Sequence, residues 1–331
     1  MTVSTCTERE LISRIQQQLP PVPSWLPVGI GDDAAVVEPE RNRLEVFTVD
    51  AVIDGVHFDR RFTPPDAIGH RALAVNLSDL AAMGAKPRLV LLSFALPADL
   101  PLADFDGIVS GIAQLAAREG ITVAGGNLTR TPGPLTIDIT AVGTVKRRNV
   151  LTRSGARPGD LVYVSGSIGA AAAGLAWLQR DGTSGAHACI ERYLRPTARI
   201  KTGLLLARNR AATACVDLSD GFADGVRRIA EASAVGVTID ASTLPIEADA
   251  RDWFGSVGQD AVQAAICGGD DYELLFTVRP RQRGRLKAAM QHGGIPLTRV
   301  GICTGDRALL LQAAPDDAAP APLPDGFTHF R

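Results

Sequence analysis

The chain of 331 residues carries 34 basic against 36 acidic residues, a formal net charge of -2. That length exceeds the ~250–300 residues at which a single core stops growing and predicts two packed domains, while the near-neutral charge gives no footprint for nucleic acid or for an anionic membrane. Five scattered cysteines without Cys-x-x-Cys spacing argue against a zinc site or redox pair and read as free thiols in a reducing compartment. With no basic-then-apolar leader and no apolar run near the ~20 residues that span a bilayer, the expected location is the cytoplasm.

Residues 8–19, ERELISRIQQQL, place Leu11, Ile12, Ile15 and Leu19 at helical spacing and stop at Pro20-Pro21, which predicts a short amphipathic helix. VGIGDDAAVV (28–37) then sets Asp32 and Asp33 side by side on a glycine-flanked turn. The apolar neighbours suggest partial burial, and two such carboxylates repel unless solvent, a cation or a shared proton intervenes. LEVFTVD (44–50) reads as a strand, 66–84 as a long buried helix and RLVLLSFALP (88–97) as a strand covered on both faces. A helix over 104–119 and strands at ITVAGG and LTIDITAVGTV (135–145) complete a first α/β unit, 1–148. KRRNVLTRSGARPGD gathers charge, Gly and Pro and marks the boundary to a second α/β unit, 149–312.

In that second unit, strand LVYVSG (161–166) leads to an alanine-rich helix over 168–180. Residues 211–240 give strand, turn, helix and strand, and GGDDYELLFTV (268–278) gives a turn followed by a strand. Residues 313–331 read as a linker ending in an aromatic segment, FTHF, which a disordered tail would not need.

Acidic residues gather at strand ends and glycine turns in both halves: Asp32, Asp33, Asp50, Asp79, Asp217, Asp220, Asp270 and Asp271. For a lone Asp after a strand the competing reading is a helix cap, and Asp220 before GFADG fits it well. Asp79 resists it, because a charge on an apolar helix must be paired or bound, and Asn76 shares its face one turn earlier. Hard divalent cations such as Mg²⁺ use carboxylates together with substrate phosphates, so the pattern points to a polyphosphate site. No G-x-x-x-x-G-K-[ST], kinase-type H-R-D or G-x-S-x-G is present. GGNLTRTPG (125–133) and SGSIGAAAAG (165–174) are the candidate phosphate cradles, with small residues at a tight turn as the alternative.

Seven ordered blocks, GIGDDAAVV, TVDAVIDGVHF, RALAVNLSDLAAMGAKP, VAGGNLTR, LTRSGARPGD, VDLSDG and GGDDYELLFTV, together resemble the thiamine-monophosphate kinase family, related to aminoimidazole ribonucleotide synthetase and selenophosphate synthetase. The resemblance implies a two-domain α/β (α+β) fold, with N-terminal sheets pairing into a barrel across a homodimer. It implies ATP- and Mg²⁺-dependent phosphorylation of thiamine monophosphate to thiamine diphosphate by direct in-line transfer. It places metal ligands at Asp33, Thr48, Asp50, Asp79, Asp217 and Asp220, with Asp32 adjacent, and ATP contacts at Gly126, Asn127, Arg153 and Ser219. His57, Asp270 and Phe327 fall on positions that hold the thiamine substrate.

Two positions depart from the family pattern. Gly125-Gly126-Asn127 stands where the family has Gly-Gly-Asp, and Thr48-Val49-Asp50 where it has Thr-Thr-Asp or Ser-Thr-Asp. Asn127 keeps a carbonyl oxygen for a metal but brings no charge, and Val49 brings no oxygen, so a raised Mg²⁺ requirement is expected. Competing readings are a sister ATP-dependent synthetase and a decayed nucleotide-binding regulator. Cys6 has no lysine near it, unlike the reactive cysteine of a selenophosphate synthetase, and most of the carboxylate set survives.

Overall fold

A computed structural model describes residues 1–180, 187–313 and 320–326. The elements in chain order are α1 (Glu8–Gln18), β1 (Leu44–Ile53), α2 (Pro65–Ala82), β2 (Lys86–Pro97), α3 (Leu102–Glu119), β3 (Thr122–Thr131) and β4 (Thr136–Val145). There follow β5 (Leu161–Ser165), α4 (Ala170–Arg180), α5 (His187–Leu194), α6 (Ile200–Asn209), β6 (Ala214–Asp217), α7 (Phe222–Ser233) and β7 (Gly236–Asp240). The last are α8 (Ala248–Ser256), α9 (Ala261–Cys267), β8 (Leu274–Val278), α10 (Lys287–His292), β9 (Leu297–Thr304), β10 (Leu309–Gln312) and β11 (Ala321–Pro322). No described helix is long and apolar enough to cross a membrane.

The chain divides into two compact units, Met1–Leu80 with Lys86–Arg147, and Ala81–Ala85 with the described residues of Arg148–Arg331. Ala81–Ala85 thus groups with the second unit. The reason is close packing: a side chain on Gly203 would stand 2.1 Å from the Ala81 carbonyl oxygen, and the Leu151 N–H donates to the Met83 carbonyl at 3.1 Å.

The first unit is built on a four-stranded sheet in the order β1-β4-β2-β3, antiparallel except for the β2–β3 pair. Helix α1 starts at a capping box in which the Thr7 side chain and Glu10 satisfy each other's backbone N–H groups. Helices α2 and α3 touch backbone to backbone: a Cβ on Gly111 would lie 1.9 Å from the Asp66 carbonyl oxygen, and one on Gly69 equally close to that of Ile108. Glycine is required there by the approach of the two helices.

The second unit holds a seven-stranded mixed sheet, β11-β10-β7-β9-β5-β8-β6. All five residues of β5 and of β8 are buried, which their uninterrupted apolar runs LVYV and LLF explain for inner strands covered on both faces. Residues 313–331 are not linker throughout. Ala321–Pro322 pairs with β10, the Leu323 N–H donates to Leu309 at 2.9 Å, and Asp325 pairs with Arg227 of α7 at 2.8 Å.

Candidate functional site

In the first unit, strand alternation puts Thr48 and Asp50 on one face of β1, and Thr48 Oγ1 donates to Asp79 Oδ2 of α2. Asn76 is completely buried one turn before Asp79, its amide donating to Ala72 at 3.1 Å and its carbonyl oxygen without a hydrogen-bond partner among the described residues. The same alternation corrects the reading of Val49. Its side chain stands on the opposite face, 59% exposed beside Phe47, so its lack of an oxygen withdraws nothing from the face that Thr48 and Asp50 share.

Asp32, Asp33, Gly126 and Asn127 line one cavity of about 780 Å³. The burial expected for the two carboxylates is not found: both are exposed, on a turn closed by the Val36 N–H to the Val28 carbonyl and by the Asp33 N–H to Asp32 Oδ1, each at 2.9 Å. Solvent therefore screens their repulsion. Helix α1 forms a wall of the cavity through Glu8, Arg9, Ile12, Ile15 and Gln16, and the Gln16 amide donates to the Ile30 carbonyl at 3.1 Å. The amphipathic pattern showed that α1 has an apolar face but not that this face borders the Asp32–Asp33 turn.

GGNLTRTPG is mostly strand, not loop. Gly125, Gly126 and Asn127 lie in β3, opposite Leu91, Leu92 and Ser93 just past a register shift, and a side chain on Gly126 would stand 1.8 Å from the Leu92 carbonyl oxygen. Since β3 is the sheet's edge, half of its backbone donors face away from β2. His57 sits half-buried after β1, its Nδ1 accepting the Ile53 N–H at 3.2 Å, which leaves the proton of a neutral ring on Nε2.

In the second unit the cradle proposed at SGSIG is already filled by the chain itself. The N–H groups of Gly166 and Ile168 bond to Pro296 and Pro245, each at 2.9 Å, and that of Gly169, at the start of α4, donates to Asp271 Oδ2 at 2.8 Å. Asp271 is 2% exposed, and its other oxygen has no hydrogen-bond partner among the described residues. Burial, partly offset by the Gly169 N–H, pushes its carboxyl up to about 7. Buried and bonded to the Gly169 N–H, it serves as a partner for the start of α4.

Asp217 ends β6, and the turn that follows is stitched to the Asp270 turn. The Asp270 N–H donates to the Ser219 carbonyl at 2.7 Å, the Tyr272 N–H to Leu218 at 3.0 Å and the Leu218 N–H to Glu273 at 2.8 Å. Asp220 does not cap the following helix. The N-cap of α7 is Gly221, with no side-chain cap bond, and Asp220 pairs instead with Arg228 at 2.6 Å. Arg153 is exposed on a loop alongside β6, where the neighbouring Thr152 carbonyl accepts the Cys215 N–H at 2.8 Å. Phe327 lies outside the described residues, but the chain just before it packs on α7: a Cβ on Gly326 would be 2.9 Å from Asp224 Cβ and 3.1 Å from the Asp220 carbonyl.

Beneath the Asp270 turn lies a buried network that sequence spacing gave no means to find. Glu273, fully buried, accepts from Ser165 at 2.6 Å, from Arg192 at 2.7 Å and from Arg199 Nε at 2.7 Å. Arg192 and Arg199 are more than seventy residues away in the chain, so only the fold joins them.

Among the described residues no three Asp, Glu, His or Cys side chains form a ready metal cluster. The donors at hand (Thr48, Asp50, Asp79, and the exposed Asp32 and Asp33 with the Asn127 amide) are oxygens. Such a set suits a hard cation that takes one or two carboxylates and completes its shell with water and phosphate.

Two family models match: AIR synthase related protein, N-terminal domain, over residues 31–145, and AIR synthase related protein, C-terminal domain, over 157–312. The thiamine-monophosphate kinase of Escherichia coli K12 is 39% identical over 98% of this chain and 98% of its own. The crystal structure of thiamine-monophosphate kinase from Stenotrophomonas maltophilia K279a superposes with a TM-score of 0.83 at 37% identity, over 93% of this chain and 97% of that one. AaThiL complexed with AMPPCP and TMP covers 100% of this chain and 99% of its own, with a TM-score of 0.76 at 29% identity. The chain belongs to the thiamine-monophosphate kinase family, within the AIR synthase related proteins.

Proposed function

We propose that this protein transfers the γ-phosphoryl group of ATP to the phosphate of thiamine monophosphate, yielding thiamine diphosphate and ADP. An oxygen of the substrate phosphate forms the new bond to the γ-phosphorus as the bond to the β–γ bridging oxygen breaks, and ADP leaves with that electron pair. Such a transfer through a loose transition state needs positioning and charge neutralisation, not a protein nucleophile. The observation that carries the reading beyond kinship is the backbone bond from Asp270 to Ser219. The carboxylate assigned to the cationic thiamine ring and the serine assigned to ATP sit on turns bonded to each other, which supports a site that brings acceptor and donor together.

We assign the nucleotide contacts to Gly126, Asn127, Arg153 and Ser219, and the thiamine contacts to His57, Asp270 and Phe327. Mg²⁺ would be held by Asp32, Asp33, Thr48, Asp50, Asp79, Asp217, Asp220 and Asn127. Bound there, it would neutralise charge on the phosphate oxygens. Residues 1–148 are assigned to ATP and metal binding and 149–312 to the second α/β domain. A second copy of the chain is the proposed partner for the exposed apolar sheet face around Phe47, and the cytoplasm the proposed location, in keeping with five free cysteines. The test is purified protein with ATP, Mg²⁺ and thiamine monophosphate, scored for thiamine diphosphate and ADP. Equimolar products are expected; none at high Mg²⁺ would overturn the reading.

A further inference from the structure

Tyr272 occupies a backbone conformation that its side chain disfavours. Its φ is 50°, and that of Asp270, two residues before, is 69°. A bulky residue is disfavoured in the left-handed region, and such strain persists only where surroundings enforce it. Here they do: the Tyr272 N–H is bonded to the Leu218 carbonyl at 3.0 Å, and the flanking Asp271 and Glu273 are each anchored in the interior. The result is that the 7% exposed Tyr272 ring brings its hydroxyl back over the turn, where it donates to Asp270 Oδ1 at 3.0 Å.

We infer that Tyr272 is a positioning residue that holds the Asp270 carboxylate in place for the cationic ring of thiamine monophosphate. The inference rests on the assignment of Asp270 to the thiamine substrate. The Tyr272 hydroxyl fixes one oxygen and directs the other, and the order it imposes is then not lost again on binding. Glycine or asparagine would meet the backbone demand at less cost; what they would not supply is the hydroxyl.

The experiment is Tyr272→Phe, which keeps the ring and removes the hydroxyl, measured alone and in the Asp270→Asn background. Expected for the single variant is a KM for thiamine monophosphate raised about tenfold, with kcat and the KM for ATP within about twofold. In the Asp270→Asn background the same change should add nothing, because the negative charge that the hydroxyl holds toward the cationic ring is gone. Equal losses in both backgrounds, a loss confined to kcat, or an unchanged KM for thiamine monophosphate would each overturn the inference. Wild-type protein that makes no thiamine diphosphate would overturn the functional reading itself, and titration calorimetry of thiamine monophosphate then tests the positioning role by affinity alone.

Discussion

Asp271 shows how a carboxylate that resembles a metal ligand in sequence can serve the fold. Its folded pKa, pushed up to about 7 from 3.8, means that the native state holds this proton more tightly than the unfolded chain. Its contribution therefore falls as pH rises from about 4 to 7. Asp271→Asn keeps an oxygen for the Gly169 N–H and cannot ionise, so its urea-unfolding stability should decline less over that interval than the wild type's. Parallel curves would show Asp271 to be ionised in the native state throughout. At Asn127 the missing charge, not the fold, is at issue: Asn127→Asp is expected to lower the Mg²⁺ concentration for half-maximal activity several-fold, and an unchanged Mg²⁺ titration would refute this. The cysteines follow burial. Cys189 and Cys303 are pushed up to about 12 by desolvation and Cys215 is buried too. Ellman's reagent should count at most two thiols, those of Cys6 and Cys267, in the native protein and five after denaturation.

At the scale of elements, helix periodicity made α1, α2 and α3 legible within a few residues, and apolar runs did the same for β2, β5 and β8. Less legible were the roles of turns. Gly125–Asn127 and Gly166–Gly169 both read as phosphate cradles, yet the former is strand and the latter is sealed by Asp271 and two carbonyls. Composition reveals that a backbone donor is near a glycine, while only long-range pairing reveals what it is bonded to. Glu273 is the extreme case, joined to Ser165 of β5, Arg192 of α5 and Arg199 just before α6. Glu273→Ala would leave two arginines short of their buried partner and should cost about 3–5 kcal/mol in a denaturant melt. A loss below about 1 kcal/mol would show the network to be solvated.

At the scale of the molecule, two units and a mixed α/β class followed from length and from the alternation of strand and helix patterns. What the patterns hid was the regrouping of Ala81–Ala85 with the second unit, set by glycine contacts that leave no periodic trace. The four-stranded sheet leaves Phe47 65% and Val49 59% exposed on one face, with Leu91 in the same cross-strand row as Val49. If a second copy covers that face, Phe47→Glu should run as a monomer in light-scattering chromatography at concentrations where the wild type runs as a dimer. Identical masses would remove this face from the interface.

The anchoring of residues 323–326 on β10 and α7 has a practical consequence. Five residues follow Gly326, a reach of at most about 18 Å when fully extended. An affinity handle fused after Arg331 would therefore enter the chain within that distance of Gly326, which abuts the Asp220 backbone. Met1, 89% exposed, is the better place for a handle, and kinetic constants from C-terminally tagged preparations should be compared with tag-free protein before any loss is assigned to a mutation.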